Sequence, residues 1–181
     1  MTKILLLLAD GFEEIEALGT ADILRRLGLE VCLAGLNPEV ITGAHGMKII
    51  PDSGVNGLCG SDFAAVILPG GMPGAANLDA DANVDRILRE AAAGNHLIAA
   101  ICAAPYVLAK RGLLNGRVFT MYPGFEDELG GLSYTGNLSE TSGNIVTGKG
   151  PGAVFAFARS IASALGLEEE CKKLYQGMFI D

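Results

Sequence analysis

The first 35 residues place a buried strand, an amphipathic helix and a second strand in immediate succession, and this pattern restricts the possible folds more than any other feature. The run Lys3–Leu8 is apolar after its first residue and does not alternate with polar residues, which is typical of a strand buried on both faces. Apolar residues then recur at helical spacing from Glu14 to Gly28, and Val31–Ala34 has the composition of a second strand. This order predicts a βαβ unit, and with it a parallel sheet and a right-handed crossover.

The same alternation continues along the rest of the chain. Further buried or short strands are indicated at Ala64–Leu68, Leu97–Ile101, Val118–Thr120 and Asn144–Thr147. One helix is predicted from Val84 to Gly94, and another opens at Pro151 and carries apolar residues as far as Leu165. We therefore predict one α/β domain over residues 1–181, a sandwich of helices around a mostly parallel sheet.

Composition excludes several classes of protein. Hydrophobic residues make up 50% of the chain and charged residues 19%, which excludes disorder. The net charge of -8 disfavours binding to nucleic acid or to anionic membranes, and the longest apolar stretch, Leu97–Ala109, is too short to span a bilayer and contains Pro105. Without a signal-peptide core at the N-terminus, a cytoplasmic protein is expected. The four cysteines are scattered, with no CxxC motif and no histidine cluster, so free thiols and no metal site are expected.

The candidate chemistry lies where buried strands end, because sites in open α/β sheets form at the carboxyl ends of strands. Cys102 follows the strand Leu97–Ile101 directly and has only small neighbours, as a nucleophile elbow requires. Backbone N–H groups of the following helical turn would lower the pKa of such a thiol. The alternative is an inert core cysteine, since cysteine is among the most buried residue types.

Two other strand ends supply possible partners. After Leu68, the N–H of Gly71 can pair with that of Ala103 as an oxyanion hole if the two loops are adjacent, although Pro-Gly is often only a turn. After the first strand, the acidic run of Glu13, Glu14 and Glu16 resembles a solvated helix start, in which negative charge is favoured. Glu16 lies two residues past Glu14, on a different part of the helix surface, and can turn inward as a single desolvated carboxyl.

Four motifs in this order, ADGFEEIE at 9–16, LPGG at 68–71, AAICAAP at 99–105 and GPG at 150–152, resemble the ThiJ/PfpI-like family. Within it they are similar to the branch that contains the parkinsonism-associated deglycase and its bacterial relatives. The resemblance covers nearly the whole chain. It implies a flavodoxin-like three-layer sandwich, a homodimer and chemistry without a cofactor.

The resemblance also implies roles for individual residues. It makes Cys102 the reactive cysteine and Glu16 its protonated partner, while Gly71 and Ala103 form an oxyanion or anion pocket. A neutral carboxylic acid can donate a hydrogen bond to sulfur, which is consistent with a desolvated glutamate. Gly70 is a possible lining residue of this pocket.

The chain departs from the family pattern at two positions. Tyr122 stands where many members have a histidine, and His45 where one branch has an arginine that reaches toward the partner's site. Both are possible lining residues, and a ready general base is missing at Tyr122.

Three functions are compatible with these residues. The resemblance implies a cysteine-dependent enzyme of the glyoxalase or deglycase type, acting on small aldehydes or glycated substrates. A redox sensor or chaperone of the oxidative stress response is the alternative, because an exposed low-pKa thiolate oxidises readily. An amidase or peptidase of the PfpI type ranks third, because that chemistry usually needs a base near the nucleophile.

Overall fold

The structure is a computed structural model that describes residues 2–125 and 129–180. Its strands, in chain order, are β1 (Lys3–Leu8), β2 (Glu30–Gly35), β3 (Ile41–Thr42), β4 (Lys48–Ile49), β5 (Ser53–Gly54), β6 (Ala65–Leu68), β7 (Leu97–Ile101), β8 (Val118–Phe119), β9 (Ser133–Tyr134), β10 (Ser139–Ser142) and β11 (Ile145–Gly148). Its α-helices are α1 (Thr20–Arg26), α2 (Gly74–Ala80), α3 (Ala82–Ala93), α4 (Pro105–Lys110), α5 (Val154–Ala164) and α6 (Glu168–Gly177). A π-helical turn at Ile15–Gly19 precedes α1, and 3₁₀ turns occur at Gly60–Asp62 and Pro151–Ala153.

The main sheet has seven strands in the order β10-β11-β7-β6-β1-β2-β5. β1 pairs in parallel with β2 from Lys3 opposite Glu30 to Leu8 opposite Gly35, which confirms the predicted βαβ unit. Each remaining pairing in this sheet is also parallel except that of β10 with β11. Because the chain passes from β1 to β2 on one side and to β6 on the other, the topological switch point lies between β1 and β6.

Helices cover both faces of this sheet. On β1, Ile4 and Leu6 belong to a core shared with α1, α5 and α6, while Leu5 and Leu7 belong to a core shared with α2, α3 and α4. Fully burying one such side chain stabilises the fold by roughly 1.5–3 kcal/mol, so a strand buried on both faces contributes strongly. The predicted flavodoxin-like three-layer sandwich in a single domain is confirmed.

The helix expected from Glu14 onward differs from its prediction. Its first turn, Ile15–Gly19, is π-helical, and the α-helix begins only at Thr20. The wider turn changes which side chains face inward: Ile15, expected in the core, is 59% exposed, whereas Glu16 is buried. The 3.6-residue spacing was therefore wrong for Ile15, whereas Glu16 lies inward as the sequence analysis allowed.

Two helices lacked a clear signal in the sequence. α2 begins at Gly74, within a glycine-rich stretch, and α6 is mostly charged and buries only Cys171 and Tyr175. Within the part of the chain that the structure describes, no helix combines the length and the apolar character needed to cross a membrane.

Candidate active site

Cys102 occupies a strained turn between β7 and α4. Its φ angle is +64°, and its N–H donates to the Gly148 carbonyl at 2.9 Å. A non-glycine residue with positive φ costs on the order of 1–3 kcal/mol, and such strain concentrates at functional sites. α4 then begins at Pro105, so the cysteine stands at a strand-to-helix elbow as its small neighbours predicted.

Glu16 reaches the same place from the π-helical turn after β1. The residue is 1% exposed, and its Oε2 accepts a hydrogen bond from the Gly70 N–H at 2.8 Å. Its Oε1 is buried without a partner of normal hydrogen-bond geometry among the described residues. Burial raises the pKa of Glu16 to about 7, while the Gly70 hydrogen bond and the Cys102 side chain oppose that rise.

Gly70 is the reason that the two side chains can meet. A Cβ atom at this position would lie 2.6 Å from Cys102 Cβ and 2.8 Å from Glu16 Oε2. Both distances are below van der Waals contact, so a larger residue would push the thiol and the carboxyl apart. The turn after β6 thus both donates to the carboxyl and leaves room for the cysteine.

The thiol and the carboxyl form a coupled pair. Burial raises the pKa of Cys102, and the Glu16 carboxylate raises it further, while hydrogen bonds from the Gly71 and Ala103 N–H groups lower it. When the proton resides on Glu16, the repulsion between the two anions disappears and the backbone donors favour the thiolate. The net result is a raised pKa for both groups, with the Glu16 carboxyl changing its protonation state near neutral pH.

The loops after β1 and β6 are packed against each other. The Glu13 N–H donates to the Gly70 carbonyl at 2.9 Å. Gly71 has a φ angle of +87°, and a Cβ there would lie 2.4 Å from the Glu13 nitrogen, so only glycine fits this close approach. Three strand ends, those of β1, β6 and β7, consequently converge at and beside the switch point of the sheet.

Tyr122 lies beside this site through its backbone. Its N–H donates to the Cys102 carbonyl at 2.9 Å, and the residue is 47% exposed. Its ring stands over Gly150, where a Cβ would be 3.3 Å from Tyr122 Cδ2. The residue lies next to Cys102 in space, and its role in lining the approach to the thiol stays a prediction.

His45 has different neighbours. Its Nδ1 lies 2.8 Å from Glu14 Oε2 and 3.5 Å from Glu13 Oε2, and the hydrogen bond to Glu14 raises the pKa of the imidazole. The other histidine, His96, precedes β7, and the length of that strand separates it from Cys102 by about 20 Å. Within the described residues, neither imidazole hydrogen-bonds Cys102.

The expectation of a solvated acidic run was wrong for Glu14, whereas Glu16 lies inward as the sequence analysis allowed. Glu14 is buried and accepts hydrogen bonds from the N–H of His45 at 2.7 Å and of Met47 at 3.4 Å, besides the imidazole. Desolvation opposes ionisation, but these bonds outweigh it and lower the pKa of Glu14. The donors come from the β3–β4 hairpin, about thirty residues away, so no local signal in the sequence announces them.

One group of side chains in the described residues has the spacing of metal ligands. Glu13, Glu14 and His45 each offer one ligand atom, and these atoms lie within 4.8 Å of one another. The sequence predicted no metal site. Because the protein's own N–H groups already occupy the Glu14 carboxylate, this cluster stabilises the hairpin without requiring an ion.

Comparison with known proteins agrees with this geometry. The model of the DJ-1/PfpI family matches residues 2–164. The chain belongs to the DJ-1/PfpI family. Protein dj-1beta of Drosophila melanogaster is 37% identical, with 97% of this chain and 96% of the relative covered, which assigns the chain to the DJ-1 branch.

Other family members carry functional names. The glutathione-independent glyoxalase DJR-1.2 of Caenorhabditis elegans is 35% identical over 96% of this chain and 93% of its own. A deglycase of Pyrococcus abyssi is 31% identical over 90% of this chain and 99% of its own.

Solved structures show the same fold. The crystal structure of Drosophila melanogaster DJ-1beta has a TM-score of 0.94, 38% identity and coverage of 99% of this chain and 98% of that one. A cysteine-to-alanine mutant of the DJ-1 superfamily protein STM1931 from Salmonella typhimurium has a TM-score of 0.92 and 33% identity, with full coverage of both chains. The predicted resemblance, including bacterial relatives, is confirmed.

Proposed function

We propose that this protein is a cysteine-dependent enzyme that converts small reactive carbonyls, in the manner of a cofactor-independent glyoxalase or deglycase. The observation that carries the proposal is the pair of Cys102 and Glu16, brought together at Gly70, whose N–H donates to the Glu16 carboxyl at 2.8 Å. A nucleophile beside a buried acid of pKa about 7 suits a reaction that moves protons at neutral pH. The names of the worm glyoxalase and the archaeal deglycase support the same class of substrate.

In the first step, the Cys102 thiolate attacks the aldehyde carbon of a 2-oxoaldehyde. A carbon–sulfur bond forms, and the electron pair of the carbonyl π bond moves to oxygen. The N–H groups of Gly71 and Ala103, which face the sulfur, are placed to stabilise this oxyanion. Protonation of the oxyanion gives a hemithioacetal.

In the second step, Glu16 moves protons between adjacent carbons. As a carboxylate it removes the C–H proton of the hemithioacetal, and it returns a proton to the neighbouring carbon, so that an enediol becomes a thioester. Water then cleaves the carbon–sulfur bond and regenerates the thiol. The net reaction adds one water molecule to the oxoaldehyde and yields a 2-hydroxy acid, so no external oxidant or cofactor is required.

The test is an assay of methylglyoxal conversion by the wild type, Cys102→Ser and Glu16→Gln. The matched control is Cys32→Ser, since Cys32 is also a partly buried thiol but contacts Ser53 on β5. We expect turnover in the wild type and the control and its loss in both site variants. A folded wild type without turnover would contradict the proposal.

A redox-sensing role is the second candidate. Cys102 is only partly buried, and a protonated Glu16 can donate a hydrogen bond to an oxidised sulfur. Mild peroxide is then expected to stop at the sulfinate of Cys102, adding two oxygen atoms without forming a disulfide. Such thiol chemistry suits the cytoplasm, where we propose that the protein acts. Peptide mass spectrometry that finds Cys102 linked to another cysteine would contradict this candidate.

An amidase or peptidase activity has less support. That reaction needs a group that activates the nucleophile and then protonates an amine, and Tyr122 occupies the position expected for a histidine. His45, the nearest imidazole in sequence to the first loop, is bound to Glu14.

We further propose that the protein acts as a homodimer. The family resemblance suggests it, and apolar side chains close to the π-helical turn are available for such contact: Ile15 is 59% and Met47 57% exposed. Light scattering coupled to gel filtration is expected to give twice the mass of 18.7 kDa, and Ile15→Glu is expected to shift the protein toward the monomer. A wild type that elutes at the monomer mass would contradict this assembly.

A further inference from the structure

A cavity of about 290 Å³ opens beside the backbone groups that face the Cys102 sulfur. Ala103, whose N–H donates to that sulfur, lines the cavity, and so does Met72, the residue after the other donor, Gly71. A substituent on a carbon bonded to Cys102 therefore has this space within reach. The stepwise reaction described above does not use it.

The walls of this cavity are mostly apolar. Met72, Ala75, Ala76, Tyr106 and Phe125 supply hydrocarbon and aromatic surface from the turn after β6, from α2, from α4 and from the segment after Tyr122. Sites for small molecules typically combine such walls with a few polar groups that orient the ligand, here the N–H groups at the sulfur.

The charged residues at its margin are neutralised by one another. Asp79 accepts from Lys110 Nζ at 2.6 Å and from Arg111 Nη1 at 2.7 Å. Lys110 also stands over the Tyr106 ring, 5.0 Å from its centre. Asp79 balances Lys110, and Arg111 is also paired with Asp85, whose Oδ1 accepts from the Arg111 Nε at 2.9 Å. Among the described residues, the margin of the cavity therefore offers an anionic substituent little net attraction, and an apolar substituent does not have to displace an unpaired charge.

The volume points to a large substituent. An apolar cavity of about 150 Å³ is enough to bind benzene, so 290 Å³ leaves room for an aromatic ring, whereas the methyl group of methylglyoxal would fill little of it. We propose that this cavity is the substituent site of the enzyme, and that its preferred substrates are 2-oxoaldehydes with an aryl or bulky apolar group. The part of this inference that concerns turnover rests on the proposed function, whereas the binding of a substituent in the cavity does not depend on it.

The test uses two thiol reagents that need no turnover. Iodoacetamide is small, and 2-bromoacetophenone carries a phenyl ketone next to the reactive carbon. Each is attacked by the Cys102 thiolate, so that a carbon–sulfur bond forms and the halide leaves with the electron pair. The quantity measured is the rate with 2-bromoacetophenone divided by the rate with iodoacetamide. Dividing this ratio by the same ratio for N-acetylcysteine gives the preference for the phenyl group that the cavity contributes.

The variants are Ala76→Leu, which fills the cavity, and Ala80→Leu as the matched control. Both alanines are exposed residues of α2, four positions apart, but Ala80 lines a different cavity with Asp10 and Asn37. One methylene in an apolar site is worth about tenfold or more, so we expect the wild-type ratio to exceed that of the free thiol by at least about tenfold. Ala76→Leu should remove this preference and Ala80→Leu should retain it.

Two outcomes separate this inference from the function on which it rests. If Ala76→Leu and Ala80→Leu give the same ratio, the cavity does not hold the substituent, whatever the enzyme turns over. If the preference is present but neither glyoxal nor phenylglyoxal is converted by the wild type, the site stands and the proposed enzymatic function falls. If both hold, phenylglyoxal should exceed glyoxal in kcat/KM by about tenfold or more in the wild type, and Ala76→Leu should abolish that advantage.

Discussion

Two buried carboxyl groups, Glu14 and Glu16, stand two residues apart in the chain and face opposite chemical environments. Glu14 is 4% exposed and Glu16 1%, so burial does not distinguish them. Glu14 accepts hydrogen bonds from the backbone and imidazole of His45 and from the Met47 backbone, and its pKa is lowered. Glu16 accepts one backbone bond, from Gly70, and burial raises its pKa to about 7.

The difference shows that the number of donors, rather than burial alone, decides the charge of a buried carboxyl. A carboxylate that has several donors remains ionised and stabilises structure, here the loop that carries His45. A carboxyl with one donor and a free oxygen beside a thiol retains a mobile proton. The π-helical turn is what directs the two side chains to these different environments.

The largest expected difference between the two carboxyls is in activity, when each glutamate is replaced by glutamine. Glu16→Gln removes the group that we assign to both proton transfers, and general acid–base catalysis is worth about 10²–10⁴-fold. We therefore expect kcat/KM for methylglyoxal to fall by at least about 10²-fold. Glu14→Gln should remain within about tenfold of the wild type, since Glu14 touches the hairpin rather than Cys102. If both variants fold and lose kcat/KM equally, a catalytic role for Glu16 and a structural role for Glu14 cannot be told apart.

The pH dependence of stability should also have opposite signs at the two carboxyls. Native Glu16, with a pKa of about 7 against an ordinary 4.5, binds a proton that the unfolded chain has lost, so its burial destabilises the fold as pH rises between these values. The effect is at most roughly 3 kcal/mol. Glu14, with a lowered pKa, stabilises the fold above its ordinary value and loses that contribution as pH falls.

Urea unfolding from pH 4 to pH 8 can measure both contributions. We expect Glu16→Gln to flatten the loss of stability between about pH 4.5 and 7, and Glu14→Gln to remove the stabilisation found above about pH 4.5. A Glu16→Gln curve parallel to that of the wild type would show that Glu16 is ionised throughout.

Each of the two carboxyls is packed against a glycine, Glu16 against Gly70 and Glu14 against Gly43, so a methyl group added at either glycine should disturb one carboxyl at a time. A Cβ at Gly70 would press on Cys102 and Glu16, whereas one at Gly43 would lie 2.2 Å from Glu14 Oε1. Overpacking of this kind costs about 1–3 kcal/mol. Gly70→Ala should therefore reduce turnover about 10–100-fold, and Gly43→Ala should chiefly lower the melting temperature. Gly152→Ala, with no heavy atom within 4 Å, is the control, and an equal loss of turnover in Gly43→Ala would argue against separate roles.

The features of this site that could be predicted are those determined by residues close together in the sequence. The strand Lys3–Leu8 and the elbow at Cys102 could be recognised because apolar runs and small neighbours are visible within a few residues. The sequence allowed Glu16 to turn inward, but the π-helical turn that carries it is concealed by a 3.6-residue period. The burial of Glu14 depends on donors 31 and 33 residues away.

The cavity beside the site was equally hidden. Its walls come from two helices and three loop segments. α2 itself was not predicted, because its glycine at residue 74 and its alanines give little amphipathic signal. Tyr106 and Lys110 belong to α4, but the contact of Lys110 with Asp79 joins residues 31 positions apart in the chain. Reactive residues were therefore easier to predict than the space that selects their substrate.

The smallest expected effect concerns Tyr122, at the position where related chains were expected to have a histidine. A phenol can donate a hydrogen bond through its O–H but is a poor base for removing protons from carbon. Its contact with the elbow is made by the backbone N–H, which Tyr122→Phe retains. We therefore expect this variant to change kcat/KM for methylglyoxal by less than about tenfold, with Glu16 carrying the proton transfers. Steady-state assays beside Cys102→Ser provide the comparison. If a folded Tyr122→Phe protein is as inactive as Cys102→Ser, the Tyr122 phenol takes part in the proton transfers that we assign to Glu16 alone.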